Sequence, residues 1–161
     1  MIMKKFYYLL LLVLPLAFVA CDDDDDLPNV DFSIDVSGAV NVNNALYVVR
    51  GEAFKIESIQ VINNDKDKSA IITSADYFWD YYHIGVNFQA PYGFEIQTTE
   101  ETRLGEHLLE IECPVYAVDK SPANALVVYT VYVVESVDDI PSGTQTTHFI
   151  VNPGINDKKD K

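Results

Sequence analysis

Basic residues are scarce in this chain of 161 residues: eleven lysines and arginines stand against 25 aspartates and glutamates, a formal net charge of −14. General affinity for nucleic acid rests on neutralising phosphates with lysine and arginine, so that function class is excluded. Cysteine is nearly missing, with only Cys21 and Cys113, and no Cys-x-x-Cys pair marks a redox centre. There is no Gly-x-Ser-x-Gly elbow, no His-Glu-x-x-His and no glycine-rich phosphate loop. His83, His107 and His148 share no ligand-type spacing, so no metal and no cofactor are implied. Carboxylates abound, which leaves a glycosidase-like acid pair open on counting alone. A domain this small shows no cleft-forming pattern, and an enzyme is not expected. Helical periodicity is absent as well, and no apolar run reaches the roughly twenty residues that a membrane-spanning helix needs.

What is present begins at the N-terminus. Lys4 and Lys5 precede a mostly apolar run, Phe6 to Val19, that ends in the small residue Ala20. A charged start, a short apolar core and a small residue at the processing point describe a secretory signal over residues 1–20. Pro15 and the acidic run behind Ala20 oppose the alternative of a buried N-terminal helix. Cleavage there removes two of the eleven basic residues and leaves a still more acidic chain, one domain's worth of sequence.

Directly behind the signal stand Cys21 and five aspartates, Asp22, Asp23, Asp24, Asp25 and Asp26. Adjacent like charges repel and cannot be buried, so this segment is extended and solvated. The aspartates could collect Ca²⁺, but no spacing imposes a coordination shell. Phe18-Val19-Ala20 before Cys21 resembles a bacterial lipobox, with Phe18 where leucine is usual. Cysteine followed at once by acidic residues resembles the export signal of surface lipoproteins of the Bacteroidota kind. The resemblance implies acylation of Cys21, a lipid anchor in the outer membrane and display on the cell surface. In other Gram-negative systems an aspartate after the cysteine implies retention at the inner membrane instead. Each buried acyl CH₂ contributes about 0.8 kcal/mol, so several chains together anchor stably. The rival role for Cys21 is a disulfide with Cys113, which its place against the acidic tether disfavours.

Residues 21–29 read as acylated cysteine and tether, 30–135 as the folded domain and 136–161 as a C-terminal extension. "VDFSIDV" alternates with Phe32, Ile34 and Val36 on one face, the mark of a half-buried strand. "ALYVV" is a second short strand, turned at Arg50-Gly51. In "AFKIESIQVI", Phe54 and Ile56 fall out of phase with Ile59 and Val61, which predicts a β-bulge at Glu57-Ser58. Asp65-x-Asp67-x-Ser69 has the spacing of a calcium loop's start, but Lys66 and Lys68 oppose a cation and the segment reads as a plain turn. "HLLEIECPVYA" places His107, Leu109, Ile111, Cys113, Val115 and Ala117 on one face. "LVVYTVYVVE" is a continuous inner strand; "THFIV" adds one more, and "NDKKDK" is a frayed polar end.

The middle of the chain resembles bacterial immunoglobulin-like modules that carry an aromatic strand, then D-G-x-x-I-G, A-P-Y-x-F, G-x-H-x-L and A-x-D. The matching residues are Asp80 to Gly85, Ala90 to Phe94, Gly105 to Leu109 and Ala117 to Asp119, with Tyr81 where those modules place glycine. The resemblance implies an all-β, immunoglobulin-like β-sandwich of about seven to nine strands. Trp79 then packs between the sheets as a structural core residue, and His107 ties the corner at the start of its strand to the backbone. Cys113 serves as a small core hydrophobe. Phe78, Tyr81 and Tyr82 are left as the candidate binding patch; a glycan-stacking platform of Trp79, Tyr81 and Tyr82 is the competing use of the same rings. The expected function is a surface-anchored, non-catalytic module binding an unknown surface protein or glycan. The alternative is a structural subunit or spacer of a lipoprotein or fimbria-like assembly, joined through a sheet edge or through "TQTTHFIV".

Overall fold

Alternation of apolar and polar residues decides which strand face turns inward, and the computed structural model follows that rule from its first strand. It describes residues 27–63, 69–143 and 146–157; Cys21, the five aspartates, Asp65 and Asp67 lie outside them. Strand β1 (Val30–Ser37) buries Val30, Phe32, Ile34 and Val36 and turns Asp31, Ser33 and Asp35 outward. Short strands β2 (Val40–Val42) and β3 (Ala45–Val49) form a hairpin, and β4 (Ala53–Asn63) follows. Next come β5 (Ala70–Ile72), β6 (Ala75–Trp79), β7 (Tyr82–Asn87) and β8 (Phe94–Gln97). Two long strands, β9 (Gly105–Ala117) and β10 (Ala123–Val134), form the longest antiparallel ladder. The chain ends in β11 (His148–Val151) and β12 (Gly154–Asp157).

These strands make two sheets, one in the order β11-β1-β4-β8 and the other β2-β3-β10-β9-β6-β7, with β5 on β9 and β12 on β10. β1 belongs to the first sheet, while β3 has crossed to the second and runs parallel to β10, the one parallel ladder among the described residues. Consecutive strands β9 and β10 sit between β3 and β6 in that sheet. The molecule is an all-β, immunoglobulin-like sandwich.

Its core is built by the inward faces of both sheets. Phe32, Ile34, Phe54 and Ile56 from one meet Leu109, Ile111, Val127 and Val131 from the other, all at most 1% exposed. Burying side chains of this size stabilises by about 1.5–3 kcal/mol each. Cys113 lies among them with no exposure, as a free thiol that burial, aided by the charges of Asp76 and Glu112, pushes up to about 12.

A bulge interrupts β4. Asp35 pairs with Ser58 and Val36 with Ile56, so Glu57 is the extra residue. Ser58 and Ile59 are both buried in consequence, and the inward phase switches from Phe54 and Ile56 to Ile59.

Twelve strands appear among the described residues where about seven to nine were expected. β2, β5 and β12 have only three or four residues each, too few for alternation to register in the sequence. The single extra strand expected beyond residue 135 is two strands: β11 pairs with β1 and β12 with β10. "THFIV" is therefore engaged within its own chain, with Phe149 buried edge-on against Tyr129 at 5.3 Å between ring centroids.

Candidate binding surface

The β6–β7 hairpin turns through Asp80 and Tyr81, both at positive φ (48° and 68°), between the paired residues Trp79 and Tyr82. Two successive left-handed residues match the right-handed twist of a tight hairpin, a geometry that normally recruits glycine or asparagine. A tyrosine there carries the steric cost of its Cβ against its own backbone, about 1–2 kcal/mol. Asp80 braces the turn from behind. Its Oδ1 accepts from the Leu108 backbone N–H at 2.9 Å, its Oδ2 lies 2.7 Å from His107 Nδ1, and its own N–H donates to the Leu108 carbonyl.

His107 is 5% exposed, at the start of β9. Its Nε2 lies 2.7 Å from the Arg103 carbonyl, an atom that can only accept, so Nε2 carries a proton and donates. Its ring stacks on Trp79 with centroids 4.8 Å apart. The hairpin tip is thus fastened to β9 by Asp80, His107 and the indole together, and is displayed from a rigid base.

Beyond that base the rings open to solvent. Tyr81 and Tyr82 are each 77% exposed. Phe78 is half-buried on the outer sheet face, its ring 5.2 Å from that of His83, which pairs with Asp76 at 3.4 Å. The three expected patch residues therefore divide: Tyr81 and Tyr82 form the tip, and Phe78 lies on the sheet behind it. Trp79, expected between the sheets, is only partly buried. It packs against Phe54 and His107, while its remaining side lines an open cavity of about 260 Å³ with Ile84, Phe94 and Thr102. Being last in β6, it sits at the margin of the sandwich, and Tyr77, two residues earlier, takes the fully buried place.

Behind the cavity, Tyr77 stacks on Phe94 at 4.7 Å and donates its hydroxyl to the Tyr92 carbonyl, while the Tyr92 hydroxyl donates to the Ile72 carbonyl at 2.8 Å. Asn87 Nδ2 donates to the Gly93 carbonyl at 2.7 Å. The segment Ala90 to Phe94 thereby ties the β8 margin to the β6–β7 hairpin. Gly85 has no room for a side chain, since a Cβ there would run into the Phe94 ring. The sequence reading missed Ile84, Val86 and Phe88, exposed along and just after β7. Tyr82, Ile84, Val86 and Phe88 alternate in the sequence as a single buried face would. However, Tyr77 pairs with Gly85 and Phe78 with His83, so Ile84 is an extra residue and the positions on either side of it turn to different faces.

No family model matches the chain, and no curated protein matches it. One solved structure with similarity comes from the work on Clostridium thermocellum CbhA fibronectin(III)-like modules, at 18% sequence identity and a TM-score of 0.40. The alignment covers 63% of this chain and 46% of that one, so the chain spans less than half of that neighbour's length.

Proposed function

We propose that this chain is a non-catalytic binding module, held at the outer membrane through acylated Cys21 and displayed at the cell surface, that recognises a protein or glycan partner with the tip of its β6–β7 hairpin. One observation carries the reading. Tyr81 is bulky and 77% exposed, and it occupies a left-handed position that glycine would occupy without strain. A strained residue that packs against little points to use rather than stability. Tyr82 doubles the aromatic surface beside it, and aromatic side chains offer large contact area at low entropic cost. The lipid anchor and surface address rest on the sequence alone, on the apolar signal, Cys21 and the aspartates behind it.

The alternative, a subunit joined by donating its own C-terminal strand, draws no support from His148–Val151, which already pairs with β1.

The test replaces Tyr81 and Tyr82 with alanine and compares variant and parent in pull-downs from cell-surface material and on a glycan array. Loss of about 2 kcal/mol or more of binding, the size of an interface hot spot, is the expected result. Unchanged binding would remove the tip from the site. Intact-mass analysis of the mature protein should find acyl chains on Cys21, and protease shaving of intact cells should digest the domain.

A further inference from the structure

Among the described residues four strands end the two main sheet paths, and three of them are guarded. β2 has three residues, two of them buried, and Gly143 lies so close that a Cβ there would fall 2.6 Å from Val42 Cγ1. β8 has four residues, with Glu95 and Gln97 exposed. β11 also has four, and its first residue, His148, is held to Asp35 at 2.8 Å. β7 is different: it is six residues long and contains no lysine, arginine, aspartate, glutamate or proline. Along it Tyr82 is 77%, Ile84 38% and Val86 36% exposed, with Phe88 just beyond at 71%. Native proteins blunt free edges with charge, proline, shortness or a bulge, because an unpaired row of backbone N–H and C=O groups templates another strand. Of these devices β7 has only the bulge at Ile84, with Gly85–Asn87 in regular pairing beyond it. Here the charge and proline are missing from the longest of the four edges.

The surroundings specify the newcomer's side chains. Residues of an added strand alternate between two faces. Those turned inward meet the cavity mouth at Trp79, Ile84 and Phe94. Those turned outward join a sheet face that carries Asp76, Glu110 and Glu112 on β6 and β9. No strand of that eight-stranded sheet contains a lysine or arginine. Two strand spacings put Asp76 about 10 Å from the added strand, close to one Debye length. A second copy of this chain would bring another net charge of −14 to the same edge, so the field opposes self-pairing and favours a basic partner.

We propose that the free edge of β7 receives an extended segment of a basic partner protein as an added strand, with apolar residues facing the cavity and lysine or arginine facing outward. This rests on the reading of the hairpin as a binding site and narrows the partner to a polypeptide.

The probe is a peptide of about eight residues, one strand's length, alternating valine and lysine. One control replaces lysine with glutamate; a second keeps the sequence but carries N-methyl groups on alternate amides, which removes one hydrogen-bonding edge. Binding to the full chain is followed by titration and by amide exchange at residues 82–87. The lysine peptide should bind, slow exchange along β7 and weaken with salt. The glutamate control, the methylated control and the Val86→Lys variant should each lower affinity about tenfold or more, which is ~1.4 kcal/mol. Val86 is exposed, so a circular dichroism melt matching the parent's separates edge blocking from misfolding. No binding, equal binding of the methylated peptide, or protection away from β7 would each overturn the proposal. Glycan-array binding lost with Tyr81 and Tyr82, alongside an unprotected β7, would overturn the added strand and leave the hairpin-tip function standing.

Discussion

At the scale of single residues, the proposed binding role of Tyr81 sets its backbone strain against use. Its φ of 68° costs an L-residue about 1–2 kcal/mol that glycine does not bear. Tyr81→Gly should therefore raise unfolding stability by about 1 kcal/mol, after the greater entropy of an unfolded glycine is offset. Urea denaturation measures it, and a destabilised variant would show that the ring packs in a way its exposure hides. On the proposed binding role, the same variant should also lose signal in the pull-down and glycan-array assays. The position was marked in the sequence because the surrounding motif places glycine there, and the backbone keeps the left-handed conformation in spite of the replacement. The partners of His107 were not legible. Its strand face follows from alternation, but the bond to Asp80 joins residues 27 apart, and only the closed sheet brings them together.

Among the elements, β11 is the one most exposed to acid. Asp35 accepts from His148 on β11 and from Ser58 on β4, and these two bonds, the His148 one first, hold its carboxyl below the ordinary aspartate value of 3.8. Glu57, at the bulge, is likewise held below 4.5 by Lys55 and then by Ser37. A depressed folded-state value stabilises above the unfolded value and is lost as pH falls through the folded one. Amide resonances of His148–Val151 should therefore lose dispersion below about pH 4 while those of β9 and β10 persist. Simultaneous loss across both sheets would refute a locally released strand. The bulge at Glu57 could be read from sequence because four large apolar residues changed phase across it. β2 and β5 could not, since three residues carry no period and their strand character comes from the neighbours they pair with.

At the scale of the whole molecule, both sheets are completed late. β1 borders β11, β3 borders β10, and β10 also holds β12, so the C-terminal residues are structural in both layers. Removing residues 144–161 should strip the β1 edge, uncover Phe149's neighbours and lower the thermal midpoint by roughly 10 °C or more, since losing one buried aromatic alone costs about 3–5 kcal/mol. Differential scanning calorimetry measures this, and a midpoint within about 2 °C of the parent would make the C-terminal strands dispensable. The sandwich class followed from the resemblance to immunoglobulin-like modules, and the strands were legible because alternation and turns agreed with one another. The C-terminal closure was not, because "THFIV" looks alike whether it serves its own sheet or a neighbour's.

The parallel ladder between β3 and β10 has a consequence for a chain made from its N-terminus onward. Until residues 130–134 have emerged, Ala45–Val49 has only the three residues of β2 beside it, and the large sheet has no middle. A nascent chain of this topology stays open until most of it has been synthesised, so its large sheet closes as one late event rather than strand by strand.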